Sequence, residues 1–232
     1  MNGEIPGYEI PGCEILGCDP TSISSRHRTD VPDLDVTLLR YITHPNVEVD
    51  ATTPVPHWRL SATGRRRAEL MLDQAWVFDI VRIVSSDETK AIETAELLAG
   101  ATGLDVEVRA GIGEIDRSAT GFVPPDVHEE LADAFFAFPD RPVRGWETAR
   151  DAQRRITAGL ADLLSPTPPG GADDGDTAVV GHGGVGTLWL CRLNGQPIDR
   201  RHDQPGQGHY FTVDRPTGRV RHGWRPIDLL PP

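Results

Sequence analysis

Short apolar strands alternate with helical segments along most of the chain, and this alternation constrains the fold more than any other feature. Alternating strands and helices predict an α/β domain, with a three-layer, mainly parallel sheet covered by helices on both faces. The predicted strands are "DVTLLRYIT" (35–43), "DIVRIVSS" (79–86), "DVEVR" (105–109) and "TAVVG" (177–181), followed by a hairpin that turns at residues 216–218. Helices are predicted to start near Ser61 or Thr63 and to cover 87–103, 126–138, 145–164 and the segment after 182.

The first 34 residues differ from the rest. A five-residue pseudo-repeat around "EIPG" returns Pro and Gly too often for a helix or a regular strand, which predicts a disordered extension. The Pro/Gly/Asp segment "SPTPPGGADDGD" (165–176) predicts a surface loop inside the domain. We therefore expect a disordered segment 1–34 and one folded domain over 35–232.

Composition excludes several classes of function. The net charge of -12 disfavours nucleic acid as a partner, because phosphate backbones require clustered basic residues. No apolar run approaches the roughly 20 residues that cross a bilayer, and the start does not resemble a signal peptide. The expectation is a cytoplasmic protein without membrane partners.

Three polar positions follow predicted strands. His44 follows the first strand, Ser85-Ser86 end the second, and His182 follows the strand at 177–181. Ligands of open α/β sheets bind outside the carboxyl ends of the strands, so these positions are expected to lie together. Strand–His–Gly–Gly–helix also predicts an anion site, because Gly183 allows close approach to the free N–H groups of the following helix.

The ordered motifs resemble the histidine phosphatase superfamily. That family opens with a strand ending in Arg-His-Gly. A Leu-Thr/Ser-x-x-Gly helix start, a Ser-Ser-Pro-x-x-Arg-Ala helix, a Leu-x-Glu segment and a strand ending in His-Gly-Gly follow in that order. Here "LLRYITHPN", "LSATGRRRAEL", "VSSDETKAIETAELL", "GEID" and "AVVGHGGV" occupy the same order over residues 36–213. The resemblance implies a phosphoglycerate mutase-like fold and a metal-independent phosphatase without cofactor.

The resemblance assigns three catalytic roles. His44 matches the nucleophile, which would take the phosphoryl group, and His182 matches the second histidine, whose protonated ring would stabilise charge. Glu114 matches the proton donor, a role that suits a raised pKa, and Asp116 is its rival.

Two family arginines are absent. The residue before His44 is Thr43, and the helix arginine is Lys90, the only lysine of the chain. A lysine grips a phosphoryl dianion less firmly than a planar guanidinium group. Thr43, Lys90, Asn46 and Gly183 are the candidate phosphate ligands near the histidines. Alternatively, Lys90 is a surface residue that pairs with Glu93 or Glu96.

Another arginine is expected to replace the missing pair. Arg117 follows Glu114 in a loop and is the favoured substitute; Arg59 and Arg144 are weaker candidates. Arg40 lies roughly 13 Å down the strand at about 3.3 Å per residue, too far to help. An alternative register places Tyr41 at the nucleophile position, but a strand end reaches the sheet edge better than a strand middle. Other residues are given structural roles: a solvated helix face for Arg65–Arg67, and core packing for His209.

These observations predict a phosphomonoester hydrolase acting on a small phosphorylated metabolite through a phosphohistidine on His44. An aromatic segment at 117–146 is expected to cap the site and select the substrate. Because both arginines are missing, an anion-binding pseudophosphatase or regulatory module is an alternative, as is a phosphomutase.

Overall fold

A computed structural model describes residues 37–165 and 175–229 of the 232-residue chain. The predicted extension 1–34 and most of the predicted loop 165–176 lie outside the described residues. Within these ranges, no helix is long and apolar enough to cross a membrane.

A six-stranded sheet forms the centre of the described domain. Its strands are β1 (Leu38–Thr43), β2 (Ile80–Ser86), β3 (Val106–Arg109), β4 (Asp176–Gly181), β5 (His209–Asp214) and β6 (Val220–Pro226), in the order β3-β2-β4-β1-β5-β6. The first four in this order are parallel, β5 pairs antiparallel with β1, and the edge strand β6 pairs antiparallel with β5. The prediction of a mainly parallel sheet in an α/β domain is confirmed.

Five α-helices connect these strands. They are α1 (Ala62–Met71), α2 (Thr89–Thr102), α3 (Pro125–Ala137), α4 (Ala149–Leu160) and α5 (Gly183–Leu193). The first begins where the sequence predicts, because the Ser61 hydroxyl accepts the Gly64 N–H at 3.1 Å. Helix α2 ends at Gly103, which has the left-handed φ of 74° that glycine tolerates.

The fourth helix is shorter than predicted. Arg144 and Gly145 have positive φ angles of 47° and 82°, which the helical backbone does not allow. Helix α4 therefore begins only after Thr148, whose hydroxyl accepts the Asp151 N–H at 3.0 Å. At the other end, a 3-10 turn over Ala161–Leu164 replaces the last helical turn.

Two hydrophobic clusters cover the sheet. Along β1, Leu39 and Tyr41 belong to one cluster together with residues of α3, α4 and α5, whereas Ile42 belongs to the other with residues of α1 and α2. Side chains of a strand alternate between its faces, so this division places helices on both faces. The three-layer prediction is confirmed. Strands β2, β4 and β1 are neighbours, so the residues that follow them meet at one edge.

Candidate active site

His44 lies directly after β1, where its backbone N–H donates to the Gly181 carbonyl at 3.1 Å. The side chain is buried and lines a cavity at the carboxyl edge of the sheet. Its Nδ1 lies 2.9 Å from the Pro45 carbonyl oxygen. Because a carbonyl only accepts, Nδ1 must carry the proton of this bond. In the neutral ring, Nε2 then holds the free lone pair.

His44 is neutral near pH 7. Burial, with smaller electrostatic contributions from His182 and Lys90, lowers its pKa from the ordinary 6.5 to about 3. A neutral imidazole is the form that can act as a nucleophile. The tautomer and the pKa of His44 therefore both suit the expected role.

The second histidine lies beside the first. His182 follows β4 and precedes α5, and its ring centroid is 5.3 Å from that of His44. Nε2 lies 2.7 Å from the Ser86 hydroxyl. Nδ1 is buried and has no hydrogen-bond partner among the described residues. Burial lowers the pKa of His182, so the protonated ring expected from the sequence is not the ligand-free form.

Tyr41 is a structural residue of this site. It is completely buried, and its hydroxyl donates to the His182 carbonyl at 3.0 Å and accepts the His182 N–H at 3.2 Å. Burial raises the pKa of this phenol well above its ordinary value. A buried, neutral phenol cannot serve as the nucleophile, so the alternative register is wrong. Tyr41 instead holds the His182 backbone in place.

Glu114 lies at the N-terminus of α5. One carboxylate oxygen accepts the N–H groups of Ile115 and Val185 at 2.9 and 3.1 Å, and the other accepts the Gly184 N–H at 3.1 Å. Burial raises the pKa of Glu114, but the electrostatic interactions with His182 and Arg117 and the hydrogen bond from the Ile115 N–H lower it by more. The expectation of a raised pKa is therefore wrong for the ligand-free protein. Here the carboxylate occupies the predicted anion site.

Asp116 lies farther from the histidines. Its exposed carboxylate accepts the Ser118 N–H at 2.9 Å and lines a neighbouring cavity, not the one that His44 lines. Glu114 lines both cavities. The geometry therefore favours Glu114 over its rival.

Lys90 lies in the first turn of α2 and is only 3% exposed. Its Nζ forms an ion pair with Glu88 and donates to the Val55 carbonyl at 3.0 Å. The alternative of a surface lysine paired with Glu93 or Glu96 is wrong. Glu93 instead pairs with Arg59 at 2.6 Å.

Glu88 is a site residue that the sequence analysis missed. One of its oxygens lies 3.5 Å from His182 Nε2 and accepts the Glu114 N–H at 2.8 Å, while the other pairs with Lys90. Burial opposes its ionisation, but His182 and Lys90 lower the pKa of Glu88 to about 2. The feature of the sequence that could have identified Glu88 as a site residue is its position two residues after the end of β2. Glu88 neutralises the single lysine of the site.

Two of the expected phosphate ligands are occupied elsewhere. The Thr43 hydroxyl bonds to Gln204 Oε1 at 2.7 Å and accepts the His209 N–H at 3.0 Å. The Asn46 carboxamide oxygen accepts from Arg67 at 2.9 Å. Neither residue lines the cavity beside His44. We correct both assignments, because strand pairing and loop anchoring already use these polar groups.

Gly183 does line the cavity, as expected. A Cβ atom on Gly183 would lie 2.2 Å from the Gln204 amide nitrogen, and one on Gly184 would lie 2.5 Å from the Ile115 side chain. A side chain at either position would therefore displace the ends of these neighbouring side chains from the cavity edge.

Arg117 also lines the cavity. Its guanidinium group donates to the His128 ring at 3.1 Å and lies 5.7 Å from the centre of the Trp146 ring. Within 37–165 and 175–229, no carboxylate forms an ion pair with it. Arg117 is therefore the better placed of the expected substitutes.

The other arginines are used structurally. Arg40 pairs with the buried Asp176, as expected for a residue deep in the strand. Arg59 and Arg144 do not line the cavity. The prediction of a wholly solvated Arg65–Arg67 face is wrong for Arg67, which bonds to Asp228 at 2.9 Å and to the Gln207 carbonyl at 2.8 Å.

The lowered pKa of His44 makes stability depend on pH. Between pH 6.5 and 3 the folded protein keeps this ring neutral while the unfolded chain takes up a proton. Stability therefore falls as the pH falls through this window. Relative to His44→Asn, the free energy of unfolding of the wild-type protein should fall by about 2 kcal/mol more between pH 7 and pH 5.

Urea unfolding at the two pH values measures this difference. Glu88 changes stability mainly between its ordinary pKa of 4.5 and its folded pKa of about 2, so it contributes little to the difference in stability between pH 7 and pH 5. His57→Asn, at an exposed position outside the cavity lining, is the matched control and should follow the wild-type protein. Equal pH dependence in wild type and His44→Asn would contradict the prediction.

Several solved structures have a fold similar to that of this chain. A mycobacterial glucosyl-3-phosphoglycerate phosphatase in complex with inorganic phosphate is 22% identical, with a TM-score of 0.66 over 83% of this chain and 99% of that chain. A phosphoserine phosphatase from Entamoeba histolytica is 19% identical, with a TM-score of 0.64 over 83% of this chain and 100% of the other. These similarities show a shared fold. No curated protein sequence matches significantly.

The family is established by a sequence model. The model of the histidine phosphatase superfamily (branch 1) matches residues 43–217, which is most of the chain. This match begins at Thr43 and spans both histidines, Lys90 and Glu114. This match confirms the predicted family and its general class, a phosphatase. The chain belongs to the histidine phosphatase superfamily, branch 1.

Proposed function

We propose that this protein is a metal-independent phosphomonoester hydrolase that acts on a small phosphorylated metabolite in the cytoplasm. His44 would take the phosphoryl group and form a phosphohistidine. The observation behind this proposal is the hydrogen bond from His44 Nδ1 to the Pro45 carbonyl oxygen, which leaves the lone pair on Nε2 of a neutral ring.

The first step would be attack of His44 Nε2 on phosphorus. A bond forms between Nε2 and phosphorus while the bond from phosphorus to the leaving oxygen breaks. The unpartnered Nδ1 of His182 is available to bind a phosphoryl oxygen once it is protonated. The N–H groups of Gly184 and Val185, now bonded to Glu114, would turn to the same oxygens.

Glu114 would move protons in both steps. Binding of a phosphoryl dianion beside Glu114 raises its pKa by charge repulsion, and it displaces the carboxylate from the N–H groups that keep it ionised. Glu114 could then protonate the leaving alkoxide. In the second step it would take a proton from the water that attacks the phosphohistidine and releases phosphate.

The groups that bind the phosphoryl anion in this site would differ from those of a standard family member. Thr43 and Lys90 stand where the family has arginines, and Glu88 already neutralises Lys90. Arg117, which has no carboxylate partner among the described residues, would supply the missing guanidinium group. We propose further that 117–146 is a cap within a domain of residues 35–232, because its side chains line the cavity.

Phosphate release from a panel of phosphomonoesters tests the proposal. The panel should combine sugar, nucleoside, alkyl and aryl monophosphates, with metal chelator present throughout. Release of inorganic phosphate from at least one of them, well above the background without protein, is expected. A second phosphorylated product in place of phosphate would indicate a phosphomutase. No release from any substrate would refute the proposal.

A non-catalytic anion-binding module is the second candidate. Two ion or hydrogen-bond contacts of the ligand-free protein favour it. Glu88 pairs with Lys90, and Glu114 accepts hydrogen bonds from the N–H groups at the start of α5. Calorimetric titration with vanadate separates the two functions. Binding without turnover supports the module, whereas a trapped phosphohistidine excludes it.

A further inference from the structure

The walls of the cavity beside His44 are aromatic. The cavity measures about 400 Å³, within the size range of small-molecule sites. Trp58, from the loop after β1, and Phe122, from the segment before α3, lie half-exposed in its wall with ring centroids 5.7 Å apart. Phe135 and Trp146 are buried deeper, 6.2 Å apart. These rings offer a leaving group apolar surface on two sides.

Several polar side chains around this cavity already have hydrogen-bond or ion-pair partners within the protein. A polyhydroxylated leaving group needs several free hydrogen-bonding partners, and few are offered here. The pairs already formed are Arg200 with Glu129, Asp203 with Thr187 at 2.8 Å, and Gln204 with Thr43 at 2.7 Å.

The position of the rings relative to His44 defines the ligand. The cavity that contains Trp58, Phe122 and Trp146 is the same one that His44 and Gly183 line, so one molecule can occupy both ends. Arg117 lies over the face of Trp146, which adds a planar cationic surface between the two ends. An anion at His44 attached to a flat apolar group at the rings would use every part of this cavity.

We propose that the substrate is the phosphomonoester of an alcohol with an aromatic ring, and that Trp58 and Phe122 hold this ring. The inference rests on the proposed function and deepens it. Burial of an aromatic group between apolar side chains favours it over a hydroxylated group of similar size. The phosphate would lie at His44 and the N-terminus of α5, and the ring would pack against the contacting pair Trp58 and Phe122.

Two matched substrates test the proposal. 2-Phenylethyl phosphate and glycerol 1-phosphate are both primary alkyl esters, so their leaving groups differ little in intrinsic reactivity. We expect kcat/KM to be about 10- to 100-fold higher for 2-phenylethyl phosphate. Equal values, or a preference for glycerol 1-phosphate, would overturn the proposal while leaving the phosphatase function intact.

Variants locate the preference in the two rings. Trp58→Ala and Phe122→Ala should each lower the ratio of the two kcat/KM values about 10-fold, mainly through KM for the aromatic ester. Trp58→Leu and Phe122→Leu keep apolar volume and should have intermediate ratios. Phe78→Ala is the control, because Phe78 is 77% exposed and does not line the cavity. Ratios that match the wild-type value in both alanine variants would contradict the assignment of these rings.

Binding separates this inference from the proposed function. Calorimetric titration of both esters into His44→Ala measures affinity without turnover. Tighter binding of 2-phenylethyl phosphate supports the ligand class even if no ester is hydrolysed, which would refute only the hydrolase. Equal or weaker binding of the aromatic ester would overturn the inference.

Discussion

Replacement of His44 by alanine is expected to lower kcat/KM for any ester that the protein hydrolyses by roughly 10,000-fold, about 5.5 kcal/mol in the transition state. The loss is large because the variant lacks the atom that forms the covalent intermediate, and neighbouring groups cannot replace it. His182 lies close, but its Nε2 is bonded to Ser86 and its Nδ1 is assigned to a phosphoryl oxygen in its protonated form, which has no lone pair for attack. The phosphohistidine should disappear together with the activity.

Rapid alkaline quenching, which preserves the acid-labile P–N bond, followed by mass spectrometry of the peptide containing His44 measures the intermediate, and phosphate release measures the rate. His57→Ala is the control, since His57 is exposed and outside the cavity. If His44→Ala retains activity within tenfold of the wild-type protein, another residue is the nucleophile and the assignment of His44 is wrong.

Gly64→Ala is expected to destabilise the protein by about 3 kcal/mol or more. Gly64 lies in the first turn of α1, where alanine would ordinarily be preferred. A Cβ atom here would lie 1.9 Å from the Asn46 carbonyl oxygen, and this backbone atom cannot move aside as a side chain can. Because Asn46 follows His44 by two residues, the clash should also displace the loop that positions the nucleophile and lower the activity.

Gly100→Ala is the matched control for this change. Gly100 also lies inside a helix, and a Cβ atom there meets nothing within 4 Å. It should therefore stabilise the protein by about 0.5 to 1 kcal/mol through helix propensity alone. Urea unfolding of the three proteins gives both values. Similar stability of Gly64→Ala and the wild-type protein would show that the loop after β1 adapts easily.

The arrangement of the chain in elements follows from local sequence. Apolar β-branched runs form the predicted strands β1, β2 and β4, because such residues fit a buried parallel sheet. Ser61 and Gly103 begin and end helices where their side-chain and backbone chemistry predicts. The meeting of His44 and His182 was also predictable, because the carboxyl ends of parallel strands share one edge.

The boundaries of α4 were less predictable. Residues 145–148 have a composition that a helix allows, but Arg144 and Gly145 adopt positive φ angles in the turn that precedes the helix. A Cβ atom on Gly145 would lie 2.8 Å from Ala119, so the close approach of the cap segment accompanies this turn. Such a contact between distant segments leaves no trace in local propensity.

The sequence by itself determined the order of strands and helices, the family, and the two histidines that follow neighbouring strands. Only the tertiary structure decided the charge state around them. Glu88 neutralises Lys90, and the carboxylate of Glu114 occupies the N-terminus of α5. The physical reason is that burial and hydrogen-bond partners set a pKa and decide which polar group is free. Both depend on residues far apart in the chain, as the bonds from Thr43 to Gln204 and from Asn46 to Arg67 show.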